Sequence, residues 1–429
     1  MDTQNLTNLL NDKKKETRLA ALSDIKKKLD SGEIPTPKAA DNVNNHIHTT
    51  YSFSPYSPTK ALYMAYTNGL STAGIMDHDS VGGAEEFAEA GKILEMPTTA
   101  GVEMRVDMSH TALNGKRINN PDQNSVAYVA LHGIPHQYIK NIDGYISLFR
   151  KNRNTRNKKM CENISELMKP YGMALDFEEH VLPLSEYSDG GSVTERHITF
   201  ALSKLIASKY KTPAEVLNFL KNTMKLPVPP KSENMLLENN PDYYLYDILN
   251  ILKSDMVEKF YVDAHDECPD VGDYIKIAKA SGAISAYAYL GDIADSVTGD
   301  KRPQKFEDGY LELLFSELVR LGFSAVTYMP TRNTKEQLGR VIALCEAHNL
   351  FQISGEDINS PRQGFVCKAL QDPMFSHLID STWALIAHEA AATKNCDDGM
   401  FSEKTAKLYP AMADRVKYFR SLSDSDLVL

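Results

Sequence analysis

The feature that most restricts the fold is a rhythm of short strands alternating with amphipathic helices, beginning near Val43. "VNNHIH" reads as a strand, and Ser57-Pro58 is an N-cap and first-turn pair opening the helix "TKALYMAYTNG", which Gly69 closes. The strand "LSTAGIMDHD" follows, then a helix from Gly83 to about Glu95, then the strand "TTAGVEM". Strands and helices at this spacing imply parallel βα units. The rhythm breaks after "SVAYVALHGI" (Ser125–Ile134), and from Tyr138 to about Tyr261 the chain reads as mostly helical. It resumes through "VGDYIKIAKASGAISAYAYLGD", "EDGYLELLFSELVRLGFSAVTYM" and "KEQLGRVIALCEAHNLFQISGEDIN". A helix from about Lys13 to Leu29 precedes the rhythm, its stripe formed by Leu19, Leu22, Ile25 and Leu29. The expected architecture is a βα barrel with a helical insertion and helical ends. Its parts are an N-terminal extension (1–40), a first barrel part (41–137), the insertion (138–269), a second barrel part (270–363) and a C-terminal helical extension (364–429).

Polar residues collect where these strands end. His46 and His48 are alternate residues of the first strand, so they face one side while Val43, Asn45 and Ile47 face the other. Two neutral imidazoles converging on one point are a metal-binding arrangement; two surface histidines in a polar loop is the alternative. Four further clusters stand at strand ends: Asp77-His78-Asp79, Glu103, His132, and Glu356-Asp357. In βα barrels the C-terminal strand ends carry the active site. Ligand-type residues at that many separate ends favour a metal site over solvated loops.

Composition narrows the class further. Apolar residues make up 42% of the 429 and charged residues 24%, normal for a globular protein. A net charge of −10 argues against coating nucleic acid or an anionic membrane. No apolar run approaches a membrane span, and the start "MDTQNLTNLLNDKKKETRL" is too polar for a signal peptide. The five cysteines lie far apart without a CxxC pair and read as reduced thiols in a cytoplasmic protein.

The segments "NHIHTTYS", "GLSTAGIMDHDSVGGAEEF", "TTAGVEM", "VTERHITFAL", "ASGAISAYAYLGD" and "ISGEDIN", in this order and spacing, resemble the PHP (polymerase and histidinol phosphatase) superfamily, in its stand-alone phosphoesterase branch. The resemblance covers Val43 to about Pro361. It implies a distorted seven-stranded (β/α) PHP barrel binding up to three divalent metals, which activate a water to attack a phosphate ester or another hydrolysable bond. Carried onto this chain, it makes His46, His48, Glu103 and Asp357 one metal shell. Glu103 bridges to a second, for which His197 in "TERHITFAL" is the insertion's ligand. Tyr128 stands where another histidine is usual, and His132 either takes its place or is a loop histidine. At the third position His78 remains, but Phe53 replaces an aspartate and Asn359 the final histidine, while Tyr289 replaces the histidine of the "AHPG" strand. Phenylalanine cannot ligate and an asparagine carbonyl is a weak ligand, so one or two ions (Zn²⁺, Mn²⁺ or Fe²⁺) are expected rather than three.

The expected function is a metal-dependent hydrolase, a phosphoesterase acting on a small phosphorylated or anionic metabolite. The alternatives are a PHP-fold enzyme acting on a non-phosphate bond and a catalytically reduced, metal-stabilised binding protein. Glu103, His78 and Asp77 are the candidate catalytic residues, with His78 either an acid–base group or a histidine held by Asp77 or Asp79. Arg196 and Arg332 are candidate clamps for a phosphate or carboxylate, with Lys60 and Arg105 of the same kind. Tyr289, Asn359, Tyr128 and His132 complete the expected substrate side. His388-Glu389 lacks an HExxH partner and is expected to pack or cap.

Overall fold

The computed structural model describes residues 2–38, 40–293 and 304–422. Seven strands form one sheet in sequence order: β1 (Asn42–Ile47), β2 (Leu70–His78), β3 (Thr98–Asp107), β4 (Val126–His132), β5 (Ile284–Ala288), β6 (Ala325–Tyr328) and β7 (Phe351–Ser354). The sheet curls until its edges meet. Just past β7, Ile358 N donates to His46 O (3.1 Å) and His48 N donates to Ile358 O (2.9 Å). The fold is thus the expected seven-stranded α/β barrel, closed at the strand that carries the two histidines.

That closure explains a strand as polar as "NVNNHI". The β1–β2 register shifts between Asn44 and Ile47, and asparagine side chains supply hydrogen bonds there. Asn44 Oδ1 accepts from His46 N (3.0 Å) and Glu356 N (2.9 Å), while Asn45 Nδ2 donates to Ser354 O (2.8 Å) and Thr382 Oγ1 (2.7 Å). Gly355 permits the approach, since a Cβ there would lie 2.5 Å from His46 Cβ.

One strand departs from the parallel expectation. β4 is antiparallel to both β3 and β5. The connection before it, residues 108–125, carries no helix, and a strand that follows its neighbour without a helical crossover pairs antiparallel. His132 therefore ends β4 beside Ile284, the first residue of β5, at the end of the barrel opposite to that of the other strand termini. That end is sealed by the helix His377–Lys394, whose Ala384 and Leu385 share a core with Ile284, Ala325 and Phe351. Its buried Glu389 accepts from Thr99 Oγ1 (2.6 Å) and Ala100 N (2.8 Å), and His388 Nδ1 accepts from Met400 N (2.9 Å). The His388-Glu389 pair thus packs and caps.

From this sealed end the helix Ile139–Met168 climbs to the mouth; its 30 residues span about 45 Å. Ile142 and Ile146 pack on the barrel core, whereas Met160, Cys161 and Ile164 join a separate apolar core with Ile198, Leu202, Ile248 and Leu252. Among the described residues, no helix is long and apolar enough to cross a membrane.

Candidate metal centre

At the mouth, His46, His48 and Glu103 come together: one donor atom from each lies within 4.8 Å of the others. His46 Nε2 is 3.6 Å and His78 Nδ1 3.1 Å from Glu103 Oε2, and His48 Nε2 is 3.1 Å from Asp357 Oδ1. The loop after β1 orients His48. Asp77 accepts from Thr49 N (2.7 Å), Thr49 Oγ1 (2.6 Å) and Ser52 Oγ (2.6 Å), so the serine hydroxyl has its oxygen left to accept from His48 Nδ1 at 3.3 Å. The proton this network assigns to Nδ1 leaves the Nε2 lone pair facing the cluster, as in a metal-ligating histidine anchored from behind. Asp77 thus builds the loop, with its oxygens spent on that network.

The electrostatics match a cation site. Burial opposes charge on Glu103, yet His78, His46 and His48 outweigh it and hold the carboxyl at about 2. Burial pushes His78 down to about 3, against the pull of Glu103. Burial also opposes charge on His46, but Glu103, Asp357 and Asp77 leave it raised. The Nε2 atoms of His46 and His48 are buried and make no hydrogen bond, despite their nearby carboxylates. Orphaned imidazole nitrogens beside ionised carboxylates fit a divalent ion.

This sets a pH test. His46, raised from its ordinary 6.5, carries a proton that a metal must displace. By linkage, that proton stabilises the metal-free fold below the ordinary value, and the contribution fades as pH rises through the raised one. Affinity for Zn²⁺ or Mn²⁺ is expected to fall up to about tenfold per pH unit below the raised value, with a proton released on binding. Calorimetry in two buffers of different ionisation enthalpy reads this directly. Affinity flat across that range would show His46 already neutral.

The remaining expected residues divide. Asn359 Nδ2 donates to Asp357 Oδ1, and Tyr128 packs its ring 6.0 Å from that of His78. His197 lies outside the tight cluster. Its Nδ1 accepts from Thr194 N (3.0 Å) in a capping box, its ring meets Phe53 edge-on at 5.1 Å, and burial pushes it down to about 3. Because β4 runs backwards, His132 sits deeper than Tyr128 on the same strand face, buried with Nε2 unpartnered and pushed down to about 3 by burial. Tyr289 belongs to the apolar core outside the barrel, and its hydroxyl donates to Asp308 (2.5 Å). Arg332 Nε donates to Leu290 O (3.1 Å). Lys60 Nζ reaches Thr7 O (3.4 Å) in the N-terminal extension. Arg105, expected as an anion clamp, is spent on Glu267, with Glu195 at 3.5 Å.

That last pair belongs to a network the sequence reading missed. Arg153 pairs with Asp79, and Arg156 with Glu195 and Glu267, all with side chains at most 22% exposed. Its legible trace was Arg150, Arg153 and Arg156, three residues apart and so on one helix face.

No family model matches the chain. Among solved structures it is similar to a "putative metal-dependent phosphoesterase" from Bifidobacterium adolescentis, with TM-score 0.52 and 17% identity over 81% of this chain and 97% of that one. It is also similar to an amidohydrolase from Chromobacterium violaceum solved with bound sulfate and no metal, with TM-score 0.50 and 16% identity over 76% and 90% of the two chains. At such identities the likeness concerns the fold. A curated relative, the 5'-3' exoribonuclease of Haemophilus influenzae, is 34% identical over 59 residues, which is 14% of this chain and 22% of that protein's length.

Proposed function

We propose that the chain is a metal-dependent hydrolase of the PHP type, a phosphoesterase acting on a small phosphorylated metabolite. The observation that carries this reading is the cluster of His46, His48 and Glu103, two of whose buried nitrogens are orphaned. The charge of Arg196 acts on both His78 and Asp357, yet its guanidinium has no hydrogen bond or ion pair among the described residues. A guanidinium whose charge reaches a cation site is suited to gripping phosphate oxygens. His46, His48 and Glu103 would hold a divalent ion, with Asp357 at its edge. When bound, such an ion polarises a phosphoryl oxygen and lowers the pKa of water. His78, neutral at pH 7, is placed to relay a proton while Glu103 holds its Nδ1 side. Names given to similar proteins, a phosphoesterase and an exoribonuclease, agree with a phosphate ester as substrate.

A second reading, hydrolysis of a non-phosphate bond, is favoured by the Asn359 amide engaging Asp357 and by a neighbour described as an amidohydrolase. The test is a panel of phosphate monoesters, a short phosphodiester and simple amides, assayed with Mn²⁺ and Zn²⁺. Phosphate ester turnover is expected, and Arg196→Ala should raise KM by about 10- to 100-fold, the scale of a lost charge-assisted contact. Turnover of amides alone would move the assignment to the second reading.

A further inference from the structure

The loops that carry His48 and His78 are both tied to one buried residue of the helical segment between β4 and β5. Ser192 is fully buried, and its N–H donates to Tyr51 O (2.7 Å) in the β1 loop. Its hydroxyl donates to His78 O (2.5 Å) at the end of β2. Asp77 also joins the two segments, from within β2 through Thr49 and Ser52, whereas Ser192 joins them from the helical segment. The flanking chain is built for close approach: a Cβ on Gly191 would lie 3.0 Å from Tyr51 O and 2.8 Å from Glu186 O.

The two residues after His78 are held from the same direction. Arg153 pairs with the Asp79 carboxylate, Arg150 Nη1 donates to Asp79 O (3.2 Å), and Ser80 Oγ donates to Gly190 O (2.8 Å). Asp79 has φ +48°, left-handed backbone that a non-glycine residue keeps only when its surroundings impose it. In that conformation its N–H donates to Glu103 O (2.8 Å), so the staple reaches the carboxylate's own strand. Three consecutive residues, each bonded to the helical segment, leave the His78 backbone little freedom. Its ring meets that of His48 at 4.6 Å between centroids.

We infer that Ser192 is a positioning residue, which sets His78 against His48 and Glu103 by bonding the β1 and β2 loops together. The inference concerns the proposed hydrolytic site and rests on that reading for its kinetic consequence, though not for its structural one. The hydroxyl specifically carries the β2 half of the tie, because Ser192→Ala keeps the N–H bond to Tyr51 and loses only the bond to His78 O.

Ser192→Ala is expected to fold and to bind Mn²⁺ within about threefold of wild type, because His46, His48 and Glu103 are untouched. Its kcat on the best phosphate ester should fall about 10- to 100-fold with KM nearly unchanged, the scale for a partner that orients a site residue. Ser192→Thr, which keeps the hydroxyl, should recover most of that loss. Independently of any substrate, imidazole ¹H–¹⁵N spectra should show His78 shifted in Ser192→Ala and restored in Ser192→Thr. If Ser192→Ala does not fold, Ser192→Cys, whose thiol is close in size but a weak donor, is read in the same way. Unaltered His78 resonances with wild-type kcat overturn the inference, as does a kcat loss that Ser192→Thr fails to recover in a folded protein. A wild-type protein inactive on all phosphate esters, but with His78 shifted in Ser192→Ala, would instead discard the functional reading and keep the positioning role.

Discussion

Glu103→Gln is expected to abolish turnover and to weaken divalent metal binding by at least about 100-fold while leaving the protein folded. Glu103 is the one carboxylate within the tight cluster, and its Oε2 lies near both His46 and His78. The surrounding histidines hold it at about 2, so it brings a full negative charge to the site at any physiological pH. An amide brings none, and its NH₂ can donate to the orphaned Nε2 of His46, occupying the lone pair a metal needs. In the wild-type metal-free protein, a depressed carboxylate contributes stability above its unfolded pKa and loses it as pH falls toward about 2. The variant should lack that acid-side dependence. His78→Ala separates ligand from proton carrier: metal binding should persist while kcat drops by the roughly 10²–10⁴-fold typical of a lost acid–base group. Calorimetric titration with Mn²⁺ beside an activity assay distinguishes the two. Tight binding by Glu103→Gln would remove Glu103 from the metal centre.

Why some of this site was readable and some was not follows from the range of the interactions. His46, His48, Glu103 and Asp357 were legible because period-two alternation and strand termini are local properties of the chain. The barrel was legible for the same reason, through the repeat of strand and helix. His132 was misplaced because strand direction is not local: β4 reads like any other strand, and only its antiparallel pairing puts its last residue at the sealed end. Tyr289 was misjudged because a residue at a strand end lies one step of alternation from the opposite face. Its ring went to the outer core, where Asp308 takes its hydroxyl. The pairing of Arg105 with Glu267 spans 162 positions, a separation that no local pattern encodes.

The second large effect is expected at that pairing. Glu267→Gln should destabilise the protein by about 3–5 kcal/mol, the scale for breaking a buried ion pair from one side. Arg105, Arg153 and Arg156 face Asp79, Glu195 and Glu267, three charges against three; the Glu267 and Arg105 side chains are 3% and 4% exposed. Removing one carboxylate leaves three buried guanidiniums facing two carboxylates, an uncompensated buried charge that costs more than the intact pair contributed. The damage should reach the site, because Arg153 also holds Asp79, the residue after His78. Burial opposes the charge of Glu195, but Arg156, Arg105 and Arg153 hold its carboxyl well below the ordinary range, so its stabilisation is present at neutral pH and lost on acidification. Replacing Glu267 and Arg105 together by methionines should cost far less than Glu267→Gln alone, since no uncompensated charge then remains. The exposed Lys159–Glu162 pair is the control, and breaking it is expected to leave stability unchanged within measurement. Urea unfolding of the four proteins measures all of this. If Glu267→Gln proved as mild as the surface control, the network would be reachable by water, and its arginines would be free to turn toward the mouth as the anion clamps that Arg105 was first read to be.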